Sequence, residues 1–205
     1  MENNVKENMS SEEMLEILDN TGKPTGRAKA RSLVHLDGDA HATSHVWLIR
    51  AADGSKGRTG YDILLQKRSH NKDSFPDCYD ISSAGHIPFG QGYAESAIRE
   101  LKEELGLDAC ENDLEFIGVH DAFNKAEFYG RPFLNHEISN VYLLERNPEP
   151  SEFRLQPEEV QSVIWMNFDE CYDSVKNNLF RHCICMDEMD MIYDALLHRK
   201  NALKS

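Results

Sequence analysis

GHIPFGQGYAESAIRELKEELGL, residues 85–107, is the stretch whose reading decides the fold. The cluster Pro88-Phe89-Gly90-Gln91-Gly92 breaks any regular element before it. From Tyr93 to Leu105 the apolar residues Ala94, Ala97, Ile98, Leu101 and Leu105 recur at about 100° per residue, the period of a helix. Gly106 stands where a helix end takes a left-handed residue. Glu100, Glu103 and Glu104, at i, i+3 and i+4, put three carboxylates on one arc beside the apolar stripe. Like charges at that spacing cost an isolated helix about a few tenths of a kcal/mol per pair. A divalent cation would turn that repulsion into ligation, since Mg²⁺ prefers oxygen donors and keeps several waters. Read without their surroundings, the three glutamates are more simply a solvated acidic face.

Outward from the helix, Ser44–Ala51 and Tyr61–Arg68 carry strand-like apolar content around the loop 52–60 and read as a hairpin. Tyr79–Ile87 reads as a short extended piece. Leu114–Ala122 and Glu137–Leu144 read as strands joined by a long loop containing Gly130-Arg131-Pro132, and Gln161–Met166 as a further strand. Phe168–Lys176 and Ile184–His198 have helical periodicity, the latter with Met186 and Met189 as core filling or a partner surface, a basis for a homodimer. Met14–Leu18 is a short apolar stretch before the turn signal at 19–24. The order gives an α/β (α+β) class with a mixed sheet between helices. Residues 1–12 read as a disordered N-terminus and 13–205 as one domain ending in a helix.

The 205 residues carry 36 acidic against 22 basic side chains, a formal charge of −14. Such a field disfavours nucleic acid, whose binding relies on Lys and Arg neutralising phosphates. An anionic small molecule remains compatible if a divalent metal bridges it to carboxylates. No apolar run of about 18 residues and no basic-then-apolar leader is present, so the expectation is a cytoplasmic protein with no membrane partner. Five cysteines, odd in number and scattered, read as reduced thiols.

Taken together, Gly85-(x5)-Gln91-(x7)-Arg99-Glu100-Leu101-Lys102-Glu103-Glu104-Leu105-Gly106-Leu107 resembles the Nudix box at every defined position but one, in the loop-then-helix context that motif requires. The resemblance implies a Nudix-type α/β/α sandwich with a mixed sheet. It also implies a hydrolase acting on a phosphorus-containing anhydride, which cuts the diphosphate bond of a small organic diphosphate such as a nucleoside diphosphate linked to another group. On that analogy Glu100, Glu103 and Glu104 hold Mg²⁺ or Mn²⁺. Glu103, Glu104, Arg99 and Glu137 are the catalytic candidates, with Arg99 bracing the carboxylates and Glu137 beyond the box. Lys67 and Arg68 are candidates for the substrate phosphates, Arg68 the better because its fork matches phosphate geometry. The departure is Gln91, where the family has Glu. Gln91 keeps size and hydrogen bonding, orienting the loop at the substrate, and Glu95 at i−4 from Arg99 would partly replace the lost charge.

A narrower resemblance runs from about Met14 to Phe168. His41-Ala42-Thr43-Ser44-His45-Val46-Trp47-Leu48 and Ser83-Ala84-Gly85-His86 look like the Nudix branch close to isopentenyl-diphosphate isomerase. There, three His and two Glu hold a separate metal. His35, His41 and His86 match the histidines, and Asn135 and Glu137 fall at the glutamates, so His35, His41, His86 and Glu137 are a candidate second divalent-metal site. A vestigial or structural set of histidines is the alternative. The isomerase's acid–base Cys falls at Ala84, which can move no proton, and this disfavours isomerisation. An isomerase-like enzyme and a non-catalytic nucleotide-binding module stay as alternatives to hydrolysis. His45, His120 and His136 read as hydrogen-bonded fillers.

Overall fold

Ala40–Ala51 (β3) is buried without interruption from His41 to Ile49, and the rest of the molecule is arranged around it. A strand buried on both faces reads as a continuous apolar run rather than an alternating one, which His45-Val46-Trp47-Leu48-Ile49 approaches. The computed structural model describes residues 12–52 and 57–202. The expected disordered N-terminus therefore lies, but for Glu12, outside the described residues.

Before β3 come Met14–Leu18 (β1), Pro24–Ala30 (β2) and Arg31–Asp37 (α1). After it come Tyr61–Arg68 (β4), Tyr79–Asp80 (β5), Ser83–His86 (β6) and Tyr93–Leu105 (α2). Leu114–Phe128 (β7), Arg131–Glu145 (β8), Val160–Asn167 (β9), Phe168–Lys176 (α3) and Met186–Ala202 (α4) complete the chain. One edge of β3 runs parallel to β8 from Ala40↔His136 to Ile49↔Glu145. Its other edge is shared by antiparallel partners: β1 at His41, β6 at residues 43–46 and β4 at residues 49–51. The sheet is mixed, as expected, with β9 on β4 and β7 on β8.

Two cores flank the sheet. On one face Trp47, Ile49, Ile63, Leu65, Val141 and Leu143 pack against Phe168, Cys171 and Val175 of α3 and Met189, Ile192 and Leu196 of α4. On the other face Val46, Leu48, Leu64, Tyr142 and Leu144 pack against Ala97, Leu101 and Leu105 of α2. This is the helix–sheet–helix sandwich. The apolar stripe of α2 is the one its period gives, although Ala94 and Ile98 are only half-buried.

The expected long loop between two short strands is instead a hairpin of two 15-residue strands. Its connection is the pair Tyr129-Gly130, both at positive φ (53° and 73°), the geometry of a type I′ turn. The outer half of the hairpin is largely exposed, so no apolar alternation marks it as strand. The short helix α1 was not expected either, and it brings His35 beneath β8.

α2 ends at Gly106, whose φ is 69° and whose N–H reaches Leu101 O and Lys102 O. A Cβ there would meet Arg154 Cβ at 2.6 Å and its carbonyl oxygen at 3.0 Å. Gly106→Ala therefore combines a left-handed backbone penalty with a clash, and urea unfolding should show a loss of roughly 1–3 kcal/mol. An unchanged midpoint would mean that this close approach does not exist.

Candidate active site

The apolar stripe fixes where the acids go. With Ala97, Leu101 and Leu105 pinned to the sheet, Glu100 and Glu104 are carried to the edge of the same interface, against β6. Glu104 is 4% exposed and its Oε2 accepts the N–H of Ala84 at 3.3 Å. Glu100 lies so close to Gly85 that any Cβ there would clash with its Cγ and Cδ. A side chain at position 85 would have to displace Glu100 from this contact. Burial pushes the Glu104 carboxyl up to about 8, with the nearby Glu100 adding to the rise. Burial likewise pushes Glu100 up to about 7, against the pull of Arg99 and with Glu103 raising it further.

Glu103 is more exposed and faces Arg99. The Arg99 guanidinium pairs with Glu100 at 2.9 Å and Glu103 at 3.3 Å, and also donates to His86 O at 3.4 Å. Arg99 therefore meets two of the three box carboxylates directly. Glu95 does not reach it. Glu95 instead accepts the N–H of Gly92 at the helix start.

These acids open on a cleft of about 470 Å³ between α2, the sheet and the segment before α4. Eight carboxylates line it (Glu13, Asp80, Glu100, Glu103, Glu104, Glu137, Glu159, Glu188) against four permanent cations (Arg31, Arg68, Lys72, Arg99). An anion entering such a cleft needs compensating positive charge. Each cation is already paired: Arg68 with Asp80 at 2.8 Å, Arg31 with Glu13 at 3.7 Å, and Lys72 with Glu159. Arg68 is in the cleft wall as the sequence suggests. Lys67 is not; it pairs in the sheet with Ser162 and Tyr79. Gln91 is also outside the lining, exposed, and accepts the Ser96 hydroxyl at 3.4 Å. Sequence reading missed Glu13, Lys72 and Glu159, whose neighbours in the chain carry no motif.

His35, His41 and His86 are brought together, ring centroids 5.1–5.3 Å apart. His41 Nδ1 bonds the Asp39 carbonyl at 3.0 Å, which leaves its Nε2 buried without a partner, as is His86 Nε2. Burial holds all three below the usual histidine range, His35 at about 4, so they are neutral donors. Glu137 is close enough to pull against that shift at His35 and His41, and the Asn135 Oδ1 is buried and unpartnered.

A second buried group was not expected. His45 is hydrogen-bonded, as expected, but it shares its partner with His120: both meet Glu188, which comes from the first turn of α4. Only the fold joins residues 143 positions apart, so no local signal could have found this.

The fold, a mixed sheet between helices with an acidic helix on one face, and a cleft floored by that helix define the class. The chain matches the NUDIX domain family over residues 41–183 and belongs to that family, whose members are generally pyrophosphate hydrolases. It is 40% identical over 162 residues to Nudix hydrolase 3 of Arabidopsis thaliana, covering 78% of this chain and 20% of that much longer relative. An uncharacterised Nudix hydrolase of Clostridium acetobutylicum is 35% identical over 168 residues, 82% of this chain and 76% of the relative. An isopentenyl-diphosphate Δ-isomerase of Paenarthrobacter aurescens is 28% identical over 148 residues, 70% of this chain and 74% of its own, which supports the narrower resemblance. Among solved structures, DR0079 of Deinococcus radiodurans superposes with a TM-score of 0.61 at 14% identity, covering 87% of this chain and 98% of its own; it shows the fold.

The raised carboxyls have a consequence for stability. A carboxyl whose folded value is above its ordinary 4.5 is better accommodated protonated, so in metal-free protein Glu104 contributes a loss of stability as pH rises from about 4.5 to about 8, while the depressed histidines contribute a gain with rising pH below about 6.5. Urea midpoints measured with chelator across that window should therefore show Glu104→Gln gaining stability relative to the parent as pH rises. Equal slopes would mean that Glu104 is not the desolvated acid described.

Proposed function

We propose that the chain is a divalent-metal-dependent hydrolase that cuts a diphosphate bond in a small organic diphosphate, water being the nucleophile. One observation carries this reading. Glu100 and Glu104 are two mutually repelling carboxylates forced into a desolvated position, with Glu103 beside them at the mouth, on the helix that bears the family motif. One guanidinium on Glu100 and one backbone N–H on Glu104 compensate these buried acids only in part, and an oxygen-rich donor set of this kind fits Mg²⁺ or Mn²⁺. Glu100, Glu103 and Glu104 would hold the ion. Bound there, it would neutralise phosphate charge and lower the pKa of water.

The other roles belong to side chains around the cleft. Arg99, through its two carboxylate contacts, keeps Glu100 and Glu103 turned toward one another. Arg68 offers a fork for a phosphoryl oxygen, its position fixed by Asp80 and the carbonyl of Ser74. Lys72 supplies a second cation nearby. Glu137, on β8 in the cleft lining, is the candidate to take a proton from the attacking water. A volume near 470 Å³ suits a small molecule. Ala84, with no group to move a proton, weighs against isomerisation of an alkene.

Glu104→Gln and Glu103→Gln should each lower kcat on a diphosphate substrate by roughly 10²-fold or more with little change in fold. Rates unchanged in both variants would remove the basis for this mechanism.

A second reading concerns His35, His41 and His86, with Glu137. Two buried ring nitrogens without partners, on neutral imidazoles, favour a second divalent-metal site over a vestigial one. Manganese or zinc content of purified protein should drop by one equivalent in His41→Ala; identical content would assign the cluster a packing role only.

A further inference from the structure

His45, His120 and Glu188 meet at the inner end of the cleft, at 6%, 7% and 2% exposure. His45 Nδ1 is 2.9 Å from Glu188 Oε2, and His120 Nδ1 is 3.2 Å from the same oxygen. We propose that these three side chains form a further metal site, for a divalent transition ion of the zinc class, distinct from the acidic helix and from the His35–His41–His86 cluster.

The geometry is that of a ligand set. All three donor atoms lie within 4.8 Å of one another. Bonds of about 2.0–2.1 Å from one ion to N and O donors set neighbouring ligands about 3 Å apart, close to the two imidazole–carboxylate separations here. Two imidazoles with one carboxylate suit zinc, cobalt or iron(II) better than magnesium.

The atoms turned away from the centre are held by partners of the kind that orient metal ligands. Trp47 Nε1–H donates to Glu188 Oε1 at 2.6 Å. On the far side of the His45 ring, Nε2 is 3.3 Å from Ser139 Oγ, which bonds Thr43 Oγ at 2.6 Å. His45 Nδ1 lies 3.1 and 2.9 Å from the two Glu188 oxygens, and His45 Nε2 lies 3.9 Å from Glu137 Oε2, so either a proton on His45 or a metal ion can bridge the His45–Glu188 pair. His120 Nδ1 adds an independent pointer, because it is buried, aimed at the same oxygen and forms no hydrogen bond.

The ligands come from β3, β7 and α4, so the site is rigid. It is reached through the cleft, where Cys185 flanks it.

The test uses the full chain carrying His35→Ala and His41→Ala, which removes the other imidazole cluster, in excess Mg²⁺. Calorimetric titration with Zn²⁺ should show one tight equivalent, and Co²⁺ should give visible absorption bands of nitrogen coordination. Both should vanish when His120→Asn is added. No equivalent in the double variant, or an equivalent that survives His120→Asn, overturns the site. Should the added substitution prevent folding, parent crystals soaked in ZnCl₂ decide. An anomalous peak between the two rings and Glu188 supports the proposal. A protonated His45 bonded directly to the carboxylate, with no peak, overturns it. None of these outcomes depends on hydrolysis, so failure here leaves the proposed activity standing and loss of activity leaves this site standing.

Discussion

The close approach of α2 to β6 is the constraint on which the rest depends. A helix lying on a strand at Gly85 must bring whatever it carries at that contact out of water, and here it carries carboxylates. The apolar stripe of Ala97, Leu101 and Leu105 supplies the drive, each side chain wholly buried. Burying such side chains yields about 1.5–3 kcal/mol apiece for the larger ones. That gain offsets the cost of holding Glu100 and Glu104 where their ionised forms are disfavoured. Stability is thereby spent on holding two carboxylates out of water.

Around this contact the sheet does the sorting. β3 passes between the two layers, so its residues alternate between an apolar face under α2 and a face carrying His41, Thr43, His45 and Trp47. Parallel pairing with β8 sets Glu137 beside His41 and Ser139 beside Thr43, and pairing with β6 sets Ala84 beside His45. One face of the central strand thus becomes the polar wall of the cleft. At the position where the isomerase branch carries a catalytic thiol there is a methyl group, with an imidazole across the ladder. The neighbourhood keeps the relatives' framework while lacking the group their proton transfer requires.

Much of this was legible in the sequence because local periodicity and spacing encode it. The bounds of α2 follow from its 3.6-residue period and the glycine after it, and the mixed sheet between helices follows from the order of elements. Glu100, Glu104, Arg99, Arg68 and Glu137 all line the one cleft, and His35, His41 and His86 come together beside it. Lys67 failed because neighbouring residues on a strand face opposite ways, so only one of the Lys67–Arg68 pair could reach the cleft. Gln91 failed because its loop turns outward before the helix begins. The length of the β7–β8 hairpin was hidden by exposure on both faces and by a turn built on Tyr129 rather than on Asn-Gly. Glu188 was invisible for a different reason: its partners are in β3 and β7, and a contact between distant segments leaves no local trace.

The central claim is that one cation is gripped by the acids of α2, and crystals grown in saturating Mn²⁺ test it most directly. The account predicts an anomalous manganese peak against the carboxylates of Glu100 and Glu104, with Glu103 turned toward it. Crystals with no peak there, and with the Glu100 and Glu104 side chains pointing apart or neutral, would contradict it.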